Sequence, residues 1–135
     1  MKLLEIYVIM PRESDPESKK KLQILKAIAE KFRYNLNIPE YDPVNPNFNI
    51  ENMIEQIKRA VVVIVDLSFE RPSCYYELGV AESLHKKIIV FAKLGTNIHQ
   101  TSYRNEITFY KNLNEFEFQI NCIFGRDLAE KSTIY

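Results

Sequence analysis

Glycine is nearly absent from this 135-residue sequence: Gly79, Gly95 and Gly125 are the only three. A dinucleotide-binding turn of the form GxGxxG and a phosphate-cradling P-loop both need closely spaced glycines, so neither can be written anywhere along the chain. Any phosphate must be held another way. Cysteine is equally sparse, with Cys74 and Cys122 alone and no CxxC pair, and the two histidines, His85 and His99, are too scattered to complete a zinc set. Free thiols in a reducing cytoplasm, with no metal and no cofactor, are the expectation. Net charge is missing too. Lys and Arg number 18, as do Asp and Glu, which removes the basic field through which proteins usually hold nucleic acid phosphates. No apolar run approaches the roughly 18 residues of a membrane-spanning helix, and Met1–Met10 meets Pro11 and charged residues before reaching signal-peptide length. No nucleic acid, no membrane and no targeting segment are expected.

What is present is an ordinary globular composition, 46% hydrophobic and 27% charged, which at this length predicts one domain over residues 1–135. Leu3 to Ile9 is a short run rich in β-branched and aromatic residues, stopped by Pro11, Ser14, Asp15 and Pro16, and reads as a strand. From Ser18 to Phe32, the residues Leu22, Leu25, Ile28, Ala29 and Phe32 recur at helical spacing, with lysines on the other side. Leu36 to Tyr41 reads as a short second strand. Pro43, Asn45, Pro46 and Asn47 then make a loop, and Asn49 is placed to cap a helix striped by Ile50, Met53, Ile54 and Ile57. Val61 to Val65 is apolar at every position, the pattern of a strand covered on both faces, and it stops at Asp66.

Pro72 and Ser73 suit the start of a helix over Cys74–His85, before a buried strand at Lys87–Ala92. After a long loop, Glu106–Tyr110 reads as a fifth strand and Leu113–Phe124 as a last helix, with a loose tail beyond Gly125. Alternating strands and helices select an α/β fold. Five strands suggest a flavodoxin-like sandwich, a mainly parallel sheet in the order 2-1-3-4-5 with helices on both faces. Ligands of such sheets bind beyond the carboxyl ends of strands 1 and 3, where the winding direction reverses.

Around the helix that starts near Cys74, the residues Val80, Glu77, Leu84 and Ala81 fall within about 100° of arc, with the carboxylate in the middle. Burying an unpartnered charge is costly, so folding alone does not place a glutamate there. Two readings stand: Glu77 is compensated by the helix dipole or a neighbouring cation, or it serves a site at the switch point. Asp66 ends the third strand at the same place, and either starts a turn through its own side chain or shares that crevice. Tyr7 lies in the first strand beside it. Arg12 and Arg71 are the candidate cations, and Ser73 with the free N–H groups of the helix start supplies candidate phosphate donors. Together they suit a nucleotide. Cys74 is expected to be partly exposed at a helix start, and His85 and His99 to be solvated and without a partner carboxylate.

Asp66 to Ala81 reads DLSFERPSCYYELGVA, which resembles the D-x-(S/T)…(P)-(S/N)-x-x-Y-E-L-G-x-A signature of nucleoside 2-deoxyribosyltransferase-like families. The first strand, IYVIMP from Ile6 to Pro11, is similar to their Y-x-A-G-P opening, with Met10 where they carry glycine. Ser73 to Leu78, SCYYEL, also resembles the catalytic-glutamate helix of TIR domains. The resemblance implies that Glu77 is a catalytic carboxylate acting at the anomeric carbon of a ribose, that Asp66 faces the sugar or base, and that Tyr7 orients Glu77. It adds Pro11 and Ser68 to Arg12, Arg71 and Ser73 as substrate contacts.

The implied activity is cleavage, by hydrolysis or transfer, of the N-glycosidic bond of a nucleoside, a nucleotide or NAD, with NAD as substrate rather than cofactor. The alternative is a non-catalytic nucleotide-sensing or TIR-like interaction module. Because the related families often close their sites with a neighbouring subunit, a homo-oligomer is expected, with exposed Phe and Tyr of the Tyr103–Phe118 region as its interface.

Overall fold

Apolar side chains alternate along the central strands in a way that requires cover on both sides, and the computed structural model supplies a helical layer for each. It describes residues 3–39, 49–99, 101–103 and 105–128. The first strand, β1 (Leu4–Ile9), is followed by α1 (Ser18–Lys31), β2 (Tyr34–Asn37), α2 (Ile50–Arg59) and β3 (Val62–Asp66). A single 3-10 turn at Ser68–Glu70 leads into α3 (Pro72–Ser83), then β4 (Ile88–Lys93), β5 (Thr108–Tyr110) and α4 (Leu113–Cys122). All strand pairs are parallel, in the order β2-β1-β3-β4-β5. This is the expected flavodoxin-like sandwich.

Successive strand residues face opposite sides. Ile6 and Val8 of β1, with Val62 and Ile64 of β3, pack under Leu25, Ile28 and Ala29 of α1 and Phe116 and Ile120 of α4. Tyr7, Ile9, Val63 and Val65 face the other way, onto Met53 and Ile57 of α2 and Cys74, Leu78 and Ala81 of α3. Each aliphatic side chain so buried contributes about 1.5–3 kcal/mol of burial free energy. Asn49 caps α2 as expected, its side chain accepting the Asn52 N–H at 3.0 Å. Among the described residues, no helix is long and apolar enough to cross a membrane.

Four expectations need correction. The second strand begins earlier than Leu36: Arg33 adopts a left-handed φ of 65° and turns the chain directly from α1 into Tyr34. Tyr34, Leu36 and Ile38 then pack on the α1 layer; the expected end at Tyr41, like the loop of Pro43 to Asn47, lies outside the described residues. The chain beyond α4 is not loose at Gly125 but continues as a π-helical turn over Ile123–Leu128, because Phe124 and Leu128 are both buried. Of the aromatic residues expected to form an interface, Tyr110 and Phe116 belong to the core, whereas Phe109 and Phe118 are exposed. Finally, the lysines of α1 are not all on its wet side: Lys21 has no exposed surface at all.

Candidate active site

The side-chain parity of β1 points Tyr7 into the α3 layer, where its hydroxyl donates a 2.8 Å hydrogen bond to Glu77 Oε1. Glu77 stands on the second turn of α3, between the buried row of Cys74, Leu78 and Ala81 and the partly covered Val80 and Leu84. Burial pushes its carboxyl above the ordinary value of 4.5, while the Tyr7 hydrogen bond pulls the other way by favouring the charged form. Tyr7 has no exposed surface. Its phenol is driven far above its usual range, first by burial and then by the Glu77 charge and the shared hydrogen bond, and so it remains a neutral donor. Replacing Tyr7 by phenylalanine is expected to raise the Glu77 pKa further, which a carboxyl NMR titration of the two proteins reads directly.

Glu77 lies at one wall of a cavity of about 380 Å³ at the carboxyl edge of the sheet, with Tyr7 behind it. Val8 and Met10 of the β1 end line it, and Ile38, Pro39 and Ile50 bring apolar surface from the β2–α2 side. Pro11, Arg12 and Glu13 come from the β1–α1 connection, and Arg71, Ser73, Tyr76 and Glu77 from the start of α3. Neither guanidinium has an ion-pair partner among the described residues. Pro72 opens α3 without an N–H of its own, which leaves the Ser73 N–H and hydroxyl as the first donors of the helix. The lining combines an apolar slot, the half-buried Glu77 carboxylate, the exposed Glu13, two guanidinium groups without an ion pair and a helix start. Among the described residues, no group of three or more His, Cys, Asp or Glu side chains is placed to hold a metal ion.

The expected site residues therefore divide. Glu77, Pro11, Arg12, Arg71 and Ser73 line the cavity, and Tyr7 stands behind Glu77, bonded to it. Asp66 and Ser68 are not among the residues that line it. Parity is the reason: Asp66 lies two residues beyond Ile64 on β3 and so faces α1, on the side of the sheet opposite α3. There its carboxylate accepts from Lys21 Nζ at 3.2 Å, the Tyr110 hydroxyl at 2.6 Å, and the Ser68 hydroxyl at 2.6 Å. Lys21 and Tyr110 were missed by the sequence reading. Lys21 falls four residues before Leu25 and seven before Ile28 and thus within the buried row of its own helix, a spacing that could have revealed it.

Cys74 is also corrected. It is buried, and its thiol is pushed up to about 12, first by burial and then by the charges of Glu77 and Asp66, so it is not a reactive thiolate. His99, expected to lack a partner, contacts Glu70 Oε1 through its ring Nε2 at 2.8 Å and packs edge-on against Tyr75 at 5.4 Å between ring centroids.

No family model matches this sequence, and no curated protein does either. Solved structures do resemble it. A CMP N-glycosidase from Clostridium botulinum superposes with a TM-score of 0.65 at 15% identity, covering 87% of this chain and 98% of that one. A 2-deoxyribosyltransferase from Bacillus psychrosaccharolyticus gives 0.61 at 18% identity, over 84% of this chain and 90% of that one. The TIR domain of a Toll-related receptor from Hydra magnipapillata gives 0.60 at 19% identity, over 93% and 95%. What these three share with this chain is the fold, which serves enzymes and a receptor domain alike.

Proposed function

We propose that this protein cleaves the N-glycosidic bond of a nucleoside, a nucleotide or NAD, by hydrolysis or transfer, with Glu77 as the catalytic carboxylate. The observation that carries the reading is Glu77, held by Tyr7, on the wall of a cavity that also presents Arg12, Arg71 and the start of α3 beside the exposed Glu13. Breaking the C1′–N bond sends its electron pair to the base nitrogen and leaves positive charge spread over the ribose ring. An ionised carboxylate held beneath C1′ stabilises that charge or bonds to the carbon. Tyr7 holds one Glu77 oxygen and leaves the other for the sugar. In hydrolysis, water then adds its oxygen to C1′ and its proton ends on the departing base; in transfer, a second base takes the place of water.

Arg12, Arg71 and Ser73 suit the phosphate of a nucleotide or of NAD, and Ile38, Pro39 and Tyr76 offer flat apolar surface to a base. The CMP N-glycosidase and the 2-deoxyribosyltransferase of this fold favour the same reading by analogy. Incubating the purified protein with nucleosides, their 5′-monophosphates and NAD, and separating free base by chromatography, tests it. Base release is expected, faster from phosphate-bearing substrates. It should fall on acidification at a pH above the ordinary glutamate value of 4.5, because the active form is the ionised one and burial raises the Glu77 pKa. Absence of base release from every substrate would overturn the reading.

A further inference from the structure

A buried ammonium bridges the two chain segments that carry the cavity's arginines. Lys21 Nζ meets the Asp15 carboxylate, Asp66 Oδ2 at 3.2 Å and the Tyr110 oxygen at 2.5 Å. An ammonium has three donors and no acceptor, so these three partners saturate it. Tyr110 donates its own hydrogen bond to Asp66 Oδ2, and the Ser68 hydroxyl donates to Asp66 Oδ1 while accepting the Lys93 N–H at 2.8 Å. Every donor of the cluster is thereby used. Lys21 and Ser68 have no exposed surface, and Asp15 and Asp66 are 3% and 5% exposed, so water does not compete for these bonds.

The cluster's two ends lead to two of the segments that line the cavity. Asp15 belongs to the β1–α1 connection that presents Pro11, Arg12 and Glu13. Its Oδ1 accepts the Glu17 N–H at 2.8 Å, and the Ser18 hydroxyl donates to the Arg12 carbonyl at 2.7 Å, so the connection is fastened to α1 at both residues. Asp66 opens the turn toward Arg71 and Ser73 by accepting the Ser68 N–H at 3.0 Å. Phe69 and Glu70 follow at left-handed φ angles of 64° and 51°. Non-glycine residues rarely adopt that conformation, and a turn that contains two of them persists where its surroundings over-determine it.

We propose that Lys21 is a positioning residue for the cavity: by clamping Asp15 to Asp66 it fixes Arg12 relative to Arg71, and with them the site's preference for a phosphate-bearing nucleotide over the bare nucleoside. That preference rests on the glycosidase reading above; the clamp itself does not. Asp15→Asn removes the charge that ties the β1–α1 connection to Lys21, keeps an oxygen for the Glu17 N–H, and leaves Lys21 with Asp66 and Tyr110. Tyr110→Phe removes a hydroxyl from the same cluster and leaves the Asp15–Lys21–Asp66 bridge, so it calibrates a loss of stability alone. Asp66→Asn loosens the other end and replaces Asp15→Asn should that variant not fold.

In hydrogen exchange, Asp15→Asn is expected to speed the amides of residues 12–15, 17 and 18 by about tenfold or more, and Tyr110→Phe by less than about threefold. In kinetics, Asp15→Asn is expected to raise KM for the 5′-monophosphate by about tenfold with kcat nearly unchanged, while KM for the matching nucleoside stays put. Equal exchange in the two variants would overturn the clamp. An unchanged ratio of nucleotide to nucleoside kcat/KM would overturn its role in specificity. If the wild type releases no base, the glycosidase reading alone falls and the exchange measurement still decides the clamp.

Discussion

Glu77→Gln is expected to lower base release by about three orders of magnitude while leaving the fold intact, since glutamine keeps the shape and the Tyr7 contact but removes the charge that balances the ribose cation. Stability is expected to move the other way. Burial raises the folded Glu77 pKa above its ordinary value of 4.5, so the folded state holds this proton more tightly than the unfolded chain does. Stability linked to Glu77 is therefore fully present below about pH 4.5 and falls as the pH rises through the raised folded value. Glutamine removes that loss, and the variant should melt higher than wild type at neutral pH, with the difference shrinking on acidification toward pH 4.5. Turnover on the accepted substrate and thermal midpoints at several pH values measure both effects. A variant with wild-type turnover would remove Glu77 from catalysis, whatever its melting temperature.

The fold was legible because its signals are local and strong. A run without a polar residue from Val61 to Val65, the stripes of α1 and α2, and the punctuation by Pro11 and Pro72 fix element types almost by themselves. Less was legible at β2, where Tyr34, Leu36 and Ile38 alternate with Asn35 and Asn37, a strand pattern that starts two residues before the expected Leu36 because the turn at Arg33 leaves no loop after α1. The site was partly legible for a related reason. Glu77 interrupts an apolar arc and Tyr7 shares parity with Val63 and Val65, so the residues that face α3 could be grouped from sequence.

Asp66 was grouped with them by its place at the end of the third strand and by the resemblance, although one residue along a strand reverses the face. Counting from Ile64 places it on the α1 side, where a lysine in the buried register of that helix waits. Chain position tells which end of the sheet a residue occupies; parity tells which layer it serves. The two carboxylates expected to share one crevice serve different layers, one at the cavity and one beneath the segments that form it.

The buried cluster also carries the largest expected change in stability. Lys21→Met keeps the length and apolar stem of the side chain but leaves Asp15 and Asp66 facing each other's vicinity without the ammonium that both contact. Removing one partner from a buried charged set typically costs about 3–5 kcal/mol, because the remaining charge is desolvated without compensation. At 135 residues, that loss corresponds to a fall in thermal midpoint of roughly 10–18 °C. A packing defect of similar size is distinguished by adding Asp66→Asn to each background. In the wild type, Asp66→Asn weakens the pairing of Lys21 and should destabilise. In Lys21→Met it removes one of the two stranded carboxylates, while the amide still accepts from Ser68 and donates to Tyr110, so the same substitution should stabilise. Thermal midpoints of the four proteins measure this reversal of sign, a coupling that independent packing effects do not produce. If Asp66→Asn destabilises both backgrounds equally, charge compensation by Lys21 is not what holds the two segments together.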